Sequence, residues 1–258
     1  MDKKKQNSHY QETGQLNKLI IDFGNTLTKI AVFQKNELIK LQTTDSVNTL
    51  LLQELKNSFN LEHAIISSVT TIPDEVINFL QSQFLLIRLN HKTAVPVINL
   101  YQTPETLGKD RLAVVVAASR LYPGKNCLVI DAGTCITYDI IDKDKKYFGG
   151  GISPGMALRF RALNTFTKRL PLVTHRNFEG LTGTTTEGSI QSGVLNGITF
   201  EIDGVIGQYS ASFPDLHILI TGGDMNFFAK NVKSNIFAVP NLVLIGLNKI
   251  LEFNVGKL

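Results

Sequence analysis

The sequence predicts an α/β chain of two duplicated domains, each a mixed sheet flanked by helices. An internal repeat is the first observation behind this. Leu19-Ile20-Ile21-Asp22-Phe23-Gly24-Asn25-Thr26-Leu27-Thr28 aligns with Leu128-Val129-Ile130-Asp131-Ala132-Gly133-Thr134-Cys135-Ile136-Thr137 at an offset of 109 residues, with five of the ten positions identical. Self-similarity at near half the length of a 258-residue chain marks two domains of one topology. The second observation is the order of elements: strands in threes, then helices and strands in alternation, the pattern of mixed sheets covered by helices.

In each copy an apolar run ends in Asp-x-Gly and a second run follows, Leu27 to Phe33 and Ile136 to Ile141, whose β-branched and aromatic residues favour a strand. Each copy is therefore a hairpin. In the first domain, expected over 19–124, a third strand (Glu37 to Leu41) precedes an apolar stripe at Val47, Leu50, Leu51, Leu55 and Phe59, which fits one helix face. Glu62 to Ser67 reads as a buried strand. Thr71-Ile72-Pro73-Asp74 opens another helix, with proline in its first turn and an acid at its positive end. Phe84 to Arg88 returns as a strand, and Asp110 to Leu121 is a helix broken by Tyr122-Pro123-Gly124, where the domain boundary is expected. The second domain, 125–258, places Gly149-Gly150-Gly151 after its hairpin, then helices at Pro154 to Arg169 and Thr186 to Ser210. A strand from Leu216 to Ile220 ends in Gly222-Gly223, and helical segments at Met225 to Asn231 and Asn241 to Phe253 close the chain.

Composition narrows the function. At 43% hydrophobic and 19% charged the chain has enough apolar residues for real cores and no long block of like charge. The longest apolar run, Leu112 to Ala118, is far short of the roughly 18 residues of a membrane span. Residues 1–18 are lysine- and glutamine-rich, without the apolar segment of a secretory signal, and read as a disordered leader. Cys127 and Cys135 match neither a disulfide framework nor a zinc site, so a cytoplasmic location is expected. The net charge of +4 includes three leader lysines, Lys3 to Lys5, so anionic small molecules are the expected partners and nucleic acid is not indicated.

Asp22 to Thr28 sets a carboxylate at a strand end before a glycine that lets backbone turn tightly and approach an anion. Asn25, Thr26 and Thr28 can donate to phosphate oxygens, and Asp22 would meet the phosphates through Mg²⁺. An ordinary hairpin turn is the alternative for one copy; two copies in register let both turns face one ligand. Gly108-Lys109-Asp110-Arg111 sets an acid and a base at a helix start, where Asp110 could accept a hydroxyl proton during phosphoryl transfer and Arg111 would be free to fork a carboxylate. The alternative there is a helix-terminal carboxylate beside a surface arginine. Gly222-Gly223 could let a purine lie against bare backbone. Arg159, Arg161, Lys168 and Arg169 read as a solvated basic face, Cys135 as a small packed residue, and no histidine pair has ligand spacing. Neither a Walker loop nor a G-x-G-x-x-G motif is present.

These residues resemble the type III pantothenate kinases, members of the acetate and sugar kinase, heat-shock ATPase and actin superfamily. The likeness runs from about Leu19 to Leu251 in five ordered blocks: Asp22 to Thr26; Tyr101 through Pro104 to Gly108-Lys109-Asp110-Arg111; Asp131 to Thr134; Gly149 to Gly155; and Gly183 to Thr186 with Gln191-Ser192-Gly193. The resemblance implies two actin-like (ribonuclease H-like) domains with an interdomain active-site cleft, and ATP-dependent phosphorylation of pantothenate to 4'-phosphopantothenate, the first step of coenzyme A synthesis. It implies that Asp22, Phe23, Gly24, Asn25, Thr26, Leu27, Thr28 and Lys29 bind ATP phosphates, with Thr134 also on ATP. Asp110 would be the base for the pantothenate hydroxyl, and Tyr101, Gly108, Lys109, Arg111 and Thr186 would hold pantothenate. Asp131 would ligate an activating monovalent cation, K⁺ or NH4⁺. The resemblance further implies a cytoplasmic homodimer with no nucleic-acid or membrane partner. The chain departs from the family pattern at Lys109, Thr103 and Thr184-Thr185. Another phosphotransferase or phosphohydrolase of the superfamily, or a non-catalytic regulator, are the alternatives; a pure binding module has no need of a base aimed at a hydroxyl.

Overall fold

The two copies of the repeat fold into two sheets of the same topology. The computed structural model describes residues 17–24, 27–176 and 180–256; Asn25 and Thr26 of the first turn, and residues 1–16 of the expected leader, lie outside them. The first sheet holds β1 (Asn17–Phe23), β2 (Thr28–Gln34), β3 (Glu37–Thr44), β4 (Leu61–Ser68) and β5 (Leu85–Arg88) in the order β3-β2-β1-β4-β5. β1 to β3 are antiparallel neighbours, while β4 and β5 add in parallel after α1 (Thr49–Ser58) and α2 (Asp74–Gln83).

The second sheet repeats this plan. It takes a short β6 (Ile98–Asn99) at one edge, then β7 (Cys127–Ala132), β8 (Cys135–Ile141), β9 (Lys146–Pro154), β10 (His217–Thr221) and β11 (Phe237–Ala238), ordered β11-β10-β7-β8-β9-β6. Stripped of β6, this is the first order with each strand replaced by its counterpart, antiparallel through β7-β8-β9 and parallel through β7-β10-β11. Its helices are α3 (Lys109–Leu121), α4 (Met156–Thr165), α5 (Thr186–Ser212), α6 (Met225–Asn231) and α7 (Leu242–Val255).

Side-chain alternation explains the cores. In the first unit Leu19, Ile21 and Phe23 of β1 point into one cluster with Leu52 and Leu55 of α1 and Val76 and Leu80 of α2. In the second, Leu128, Ile130 and Ala132 of β7 pack with α4, α5 and α6 residues, and Cys127 and Val129 pack with α3 and Leu242 of α7. Both faces of β7 are covered, which is why its sequence is a nearly unbroken apolar run. Arg111 to Ala118 of α3 are all buried. α7 reaches close to α3 because Gly246 has no side chain; a Cβ there would lie 1.9 Å from the Ala113 carbonyl oxygen.

Several expectations are corrected. β1 starts at Asn17, inside the expected leader, because Asn17 and Lys18 pair with Gln34 and Phe33 of β2; polar residues at a strand start give no apolar signal. Gly149 to Gly151 lie within β9, the third strand of its sheet, and α4 begins only at Met156. Gly150 belongs there because a Cβ would lie 1.6 Å from the Tyr138 carbonyl oxygen of the neighbouring strand. The compact units divide between Leu89 and Asn90, with α3 in the second unit, where the sequence expectation sets the boundary near residue 124.

Candidate active site

In the first unit, Asp22 is the penultimate residue of β1 and pairs in register with Lys29 of β2 and Ser67 of β4. Gly24 follows the strand, and a Cβ there would lie 2.8 Å from the Leu27 carbonyl oxygen, so the turn closes only over a bare α-carbon. Phe23 and Thr28 are buried, leaving Phe23 to present backbone alone, whereas Leu27 is exposed and Asp22 and Lys29 are half-buried. The expected phosphate contacts at Asn25 and Thr26 lie outside the described residues.

Asp131 occupies the same penultimate place in β7. Its turn, ending in the exposed Thr134, is gripped from two sides by glycines. Gly155 donates its N–H to the Thr134 carbonyl at 3.0 Å, and a Cβ on it would lie 2.1 Å from the Gly133 carbonyl oxygen. On the other side, Gly222 adopts φ +95°, and a Cβ there would lie 2.3 Å from the Ala132 carbonyl oxygen and 2.6 Å from Asp131 Oδ1. Asp224 N–H donates to the same Ala132 carbonyl at 2.9 Å. Of the two glycines noted in sequence as possible purine neighbours, Gly222 thus shapes the cradle around the Asp131 carboxylate.

Asp110 sits in the first turn of α3, where the helix dipole favours an anion. Its Oδ1 accepts from the Arg111 N–H at 2.8 Å, and Gly108 leaves room for it, since a Cβ at 108 would lie 2.5 Å from that oxygen. Lys109 opens the helix, half-buried. Arg111 is not the open fork expected from sequence. Only 4% exposed, it puts Nε and Nη2 on Asp139 Oδ1 at 2.9 and 2.7 Å. Its Cζ lies 5.5 Å from the centre of the Tyr101 ring. Thr186 is the exposed first residue of α5; the preceding Thr185 caps that helix, its hydroxyl accepting from Gly188 N–H at 3.0 Å. At this departure from the family pattern the residue type thus still caps the helix.

Two groups of residues escaped the sequence reading. Asp139 of β8 and Tyr147 of β9 are fully buried, and the Tyr147 hydroxyl donates to Asp139 Oδ1 at 2.7 Å. Burial pushes the Asp139 carboxyl up, with Arg111 and Tyr147 pulling against it; burial would lower the Arg111 pKa, and Asp139 more than offsets that. An oxygen accepting two hydrogen bonds beside a guanidinium is the arrangement of an ionised carboxylate. Arg159, expected on a solvated face, instead bonds Ser153 Oγ at 2.7 Å and pairs with Glu201, which also accepts from Tyr138 at 2.8 Å. Nothing in sequence spacing signals either group, because the partners are 28 and 42 residues apart.

Cys135 is exposed, correcting the expectation that it packs; its side of β8 faces away from the cluster that takes Ile136. Cys127 is the buried cysteine, and burial pushes its thiol up to about 12. A raised folded pKa contributes stability fully below the unfolded thiol range of about 8.5, lost as pH climbs toward 12. A thiol-reactive dye at pH 8 should therefore label one cysteine quickly in the native protein and the second only after unfolding in guanidinium. Rapid labelling of both in the native state would contradict the burial of Cys127.

Two sheets of one duplicated topology, each with an aspartate one residue from the end of its first strand, make an actin-like α/β fold. Solved structures show the same fold. A Campylobacter jejuni protein named as a Baf family transcriptional activator superposes with TM-score 0.58 at 24% identity, covering 92% of this chain and 99% of its own. A glucokinase from an Antarctic psychrotroph does so at 0.52 and 12% identity, covering 92% and 99%. The family model of type III pantothenate kinases matches residues 18–208, and the chain belongs to that family. Type III pantothenate kinases of Christiangramia forsetii and Phocaeicola vulgatus are each 47% identical to it, over 92% of this chain and 98% of theirs. Among the described residues no helix is long and apolar enough to cross a membrane.

Proposed function

We propose that this chain transfers the γ-phosphoryl group of ATP to the primary hydroxyl of pantothenate, giving 4'-phosphopantothenate and ADP, as a cytoplasmic homodimer with no nucleic-acid or membrane partner. The observation that carries the reading is Asp110, a carboxylate held in the first turn of α3 over a residue without a side chain, next to Arg111, whose guanidinium lies against the Tyr101 ring. Asp110 takes the proton of the hydroxyl as its oxygen attacks phosphorus in line. Tyr101, Gly108, Lys109, Arg111 and Thr186 hold pantothenate, and the turns from Asp22 to Lys29 and at Thr134 bind ATP. Catalysis of this kind is chiefly positioning and electrostatics.

Two hard cations fit the residues present. Asp22 and Asp131 are half-buried oxygen donors at strand ends, and Gly222 keeps a space at Asp131 Oδ1 that any side chain would fill. An ion of this kind is commonly held by one or two carboxylates together with phosphate and water. Asp22 would hold Mg²⁺ and Asp131 would hold K⁺ or NH4⁺; when bound, these ions neutralise phosphate charge.

The test is ADP release by the purified chain with Mg-ATP and pantothenate, in potassium and again with a large inert cation in its place. Pantothenate-dependent release that needs potassium is expected. Release without potassium would remove the role given to Asp131, and no pantothenate-dependent release from folded protein would overturn the reading.

A further inference from the structure

The Asp139–Tyr147 pair is buried beneath two residues proposed to hold the acceptor. Asp139 engages Nε and Nη2 of Arg111 on a single oxygen, so the guanidinium nitrogen it does not engage is Nη1. Tyr147 completes that oxygen and lies parallel to Tyr101, ring centres 6.3 Å apart at 8°. Tyr101 is placed from its other sides as well. Its N–H donates to Asn99 Oδ1 at 3.0 Å, and Gly149, at φ +93°, leaves the space its ring occupies, since a Cβ at 149 would lie 2.8 Å from the ring. One pair of neighbouring strands, β8 and β9, therefore sets the orientation of both Arg111 and Tyr101.

A buried ion pair is a poor way to stabilise a fold, because apolar residues of similar volume do as well or better. What it does supply is direction: a guanidinium fixed along one edge has its remaining edge aimed. We propose that Asp139 and Tyr147 are positioning residues for acceptor recognition, locking Arg111 and Tyr101 so that the edge of Arg111 that Asp139 does not engage is turned to the carboxylate of the acceptor. This rests on the kinase reading above. Asp139 acts through Arg111 and touches no substrate itself.

The experiment measures KM for pantothenate and for ATP, kcat and melting temperature in Tyr147→Phe, Asp139→Asn, Arg111→Met and the Asp139→Asn/Arg111→Met double variant. Tyr147→Phe removes one hydroxyl and keeps the ring, and should raise the pantothenate KM roughly tenfold, the effect of one hydrogen bond to a charged group. Asp139→Asn leaves the guanidinium without its counter-charge and should raise that KM by roughly 30- to 100-fold. The ATP KM should stay within about twofold in both. In the Arg111→Met background the Asp139 change should add little further loss, since its partner is already gone. An unchanged pantothenate KM in active, folded Tyr147→Phe, or losses that multiply in the double variant, would overturn the proposal even if Asp139→Asn alone fails to fold. No turnover by the wild-type chain would instead overturn the kinase reading, and this inference with it.

Discussion

Asp110→Asn is expected to lower kcat by roughly 10²- to 10⁴-fold, the usual contribution of a positioned general base, with little change in ATP affinity. The geometry explains why the loss should be confined to turnover. Asparagine keeps a carbonyl oxygen where Asp110 Oδ1 accepts from Arg111 N–H, and it still fits above the bare α-carbon of Gly108. What disappears is the negative charge, which favours the α3 N-terminus by about 0.3–1 kcal/mol and, in the proposed mechanism, receives the hydroxyl proton. Steady-state ADP release gives the turnover, calorimetry with ATP gives the affinity, and a melting curve shows whether the fold survives. A variant with full activity would remove Asp110 from the mechanism.

The repeat was the part of the fold most legible in sequence. Asp22 and Asp131 lie at equivalent strand positions, and the two sheets share an order that the hairpin pattern foretold. Long helices such as α5 could be read from periodicity almost to the residue. Short edge strands could not. β6 and β11 are two residues each and exist because a neighbouring strand offers an open edge, a fact with no local signature. In the candidate site, the local arrangement was legible where residues are sequence neighbours, as in Gly108 to Asp110 at the start of α3, and illegible where contacts are assembled across strands. Arg111 looked like a surface cation because its partner Asp139 sits 28 residues away on β8, within a run whose neighbours are apolar. Gly149 to Gly151 were read only as following the hairpin, because glycine carries no strand signal. Here it is the residue that lets Tyr101 and the Tyr138 backbone come close.

Gly222→Ala is expected to be the most damaging single-methyl change near the site. A non-glycine residue at φ +95° costs about 1–2 kcal/mol by itself. The new Cβ would also lie 2.3 and 2.5 Å from the Ala132 carbonyl oxygen and carbon, backbone atoms that cannot step aside without breaking the Asp224 hydrogen bond to the same carbonyl. Together these should lower stability by about 2–4 kcal/mol, the upper range for single substitutions. The same Cβ would lie 2.6 Å from Asp131 Oδ1, so the surviving folded protein should need more potassium for half-maximal activity. Gly223→Ala is the control, because a Cβ at 223 would meet nothing within 4 Å. Thermal melts and a potassium titration of both variants separate the effects. A Gly222→Ala protein that melts and titrates like Gly223→Ala would show that the turn does not hold Asp131. A lower melting point with an unchanged potassium response would keep the structural clamp and discard its link to the cation.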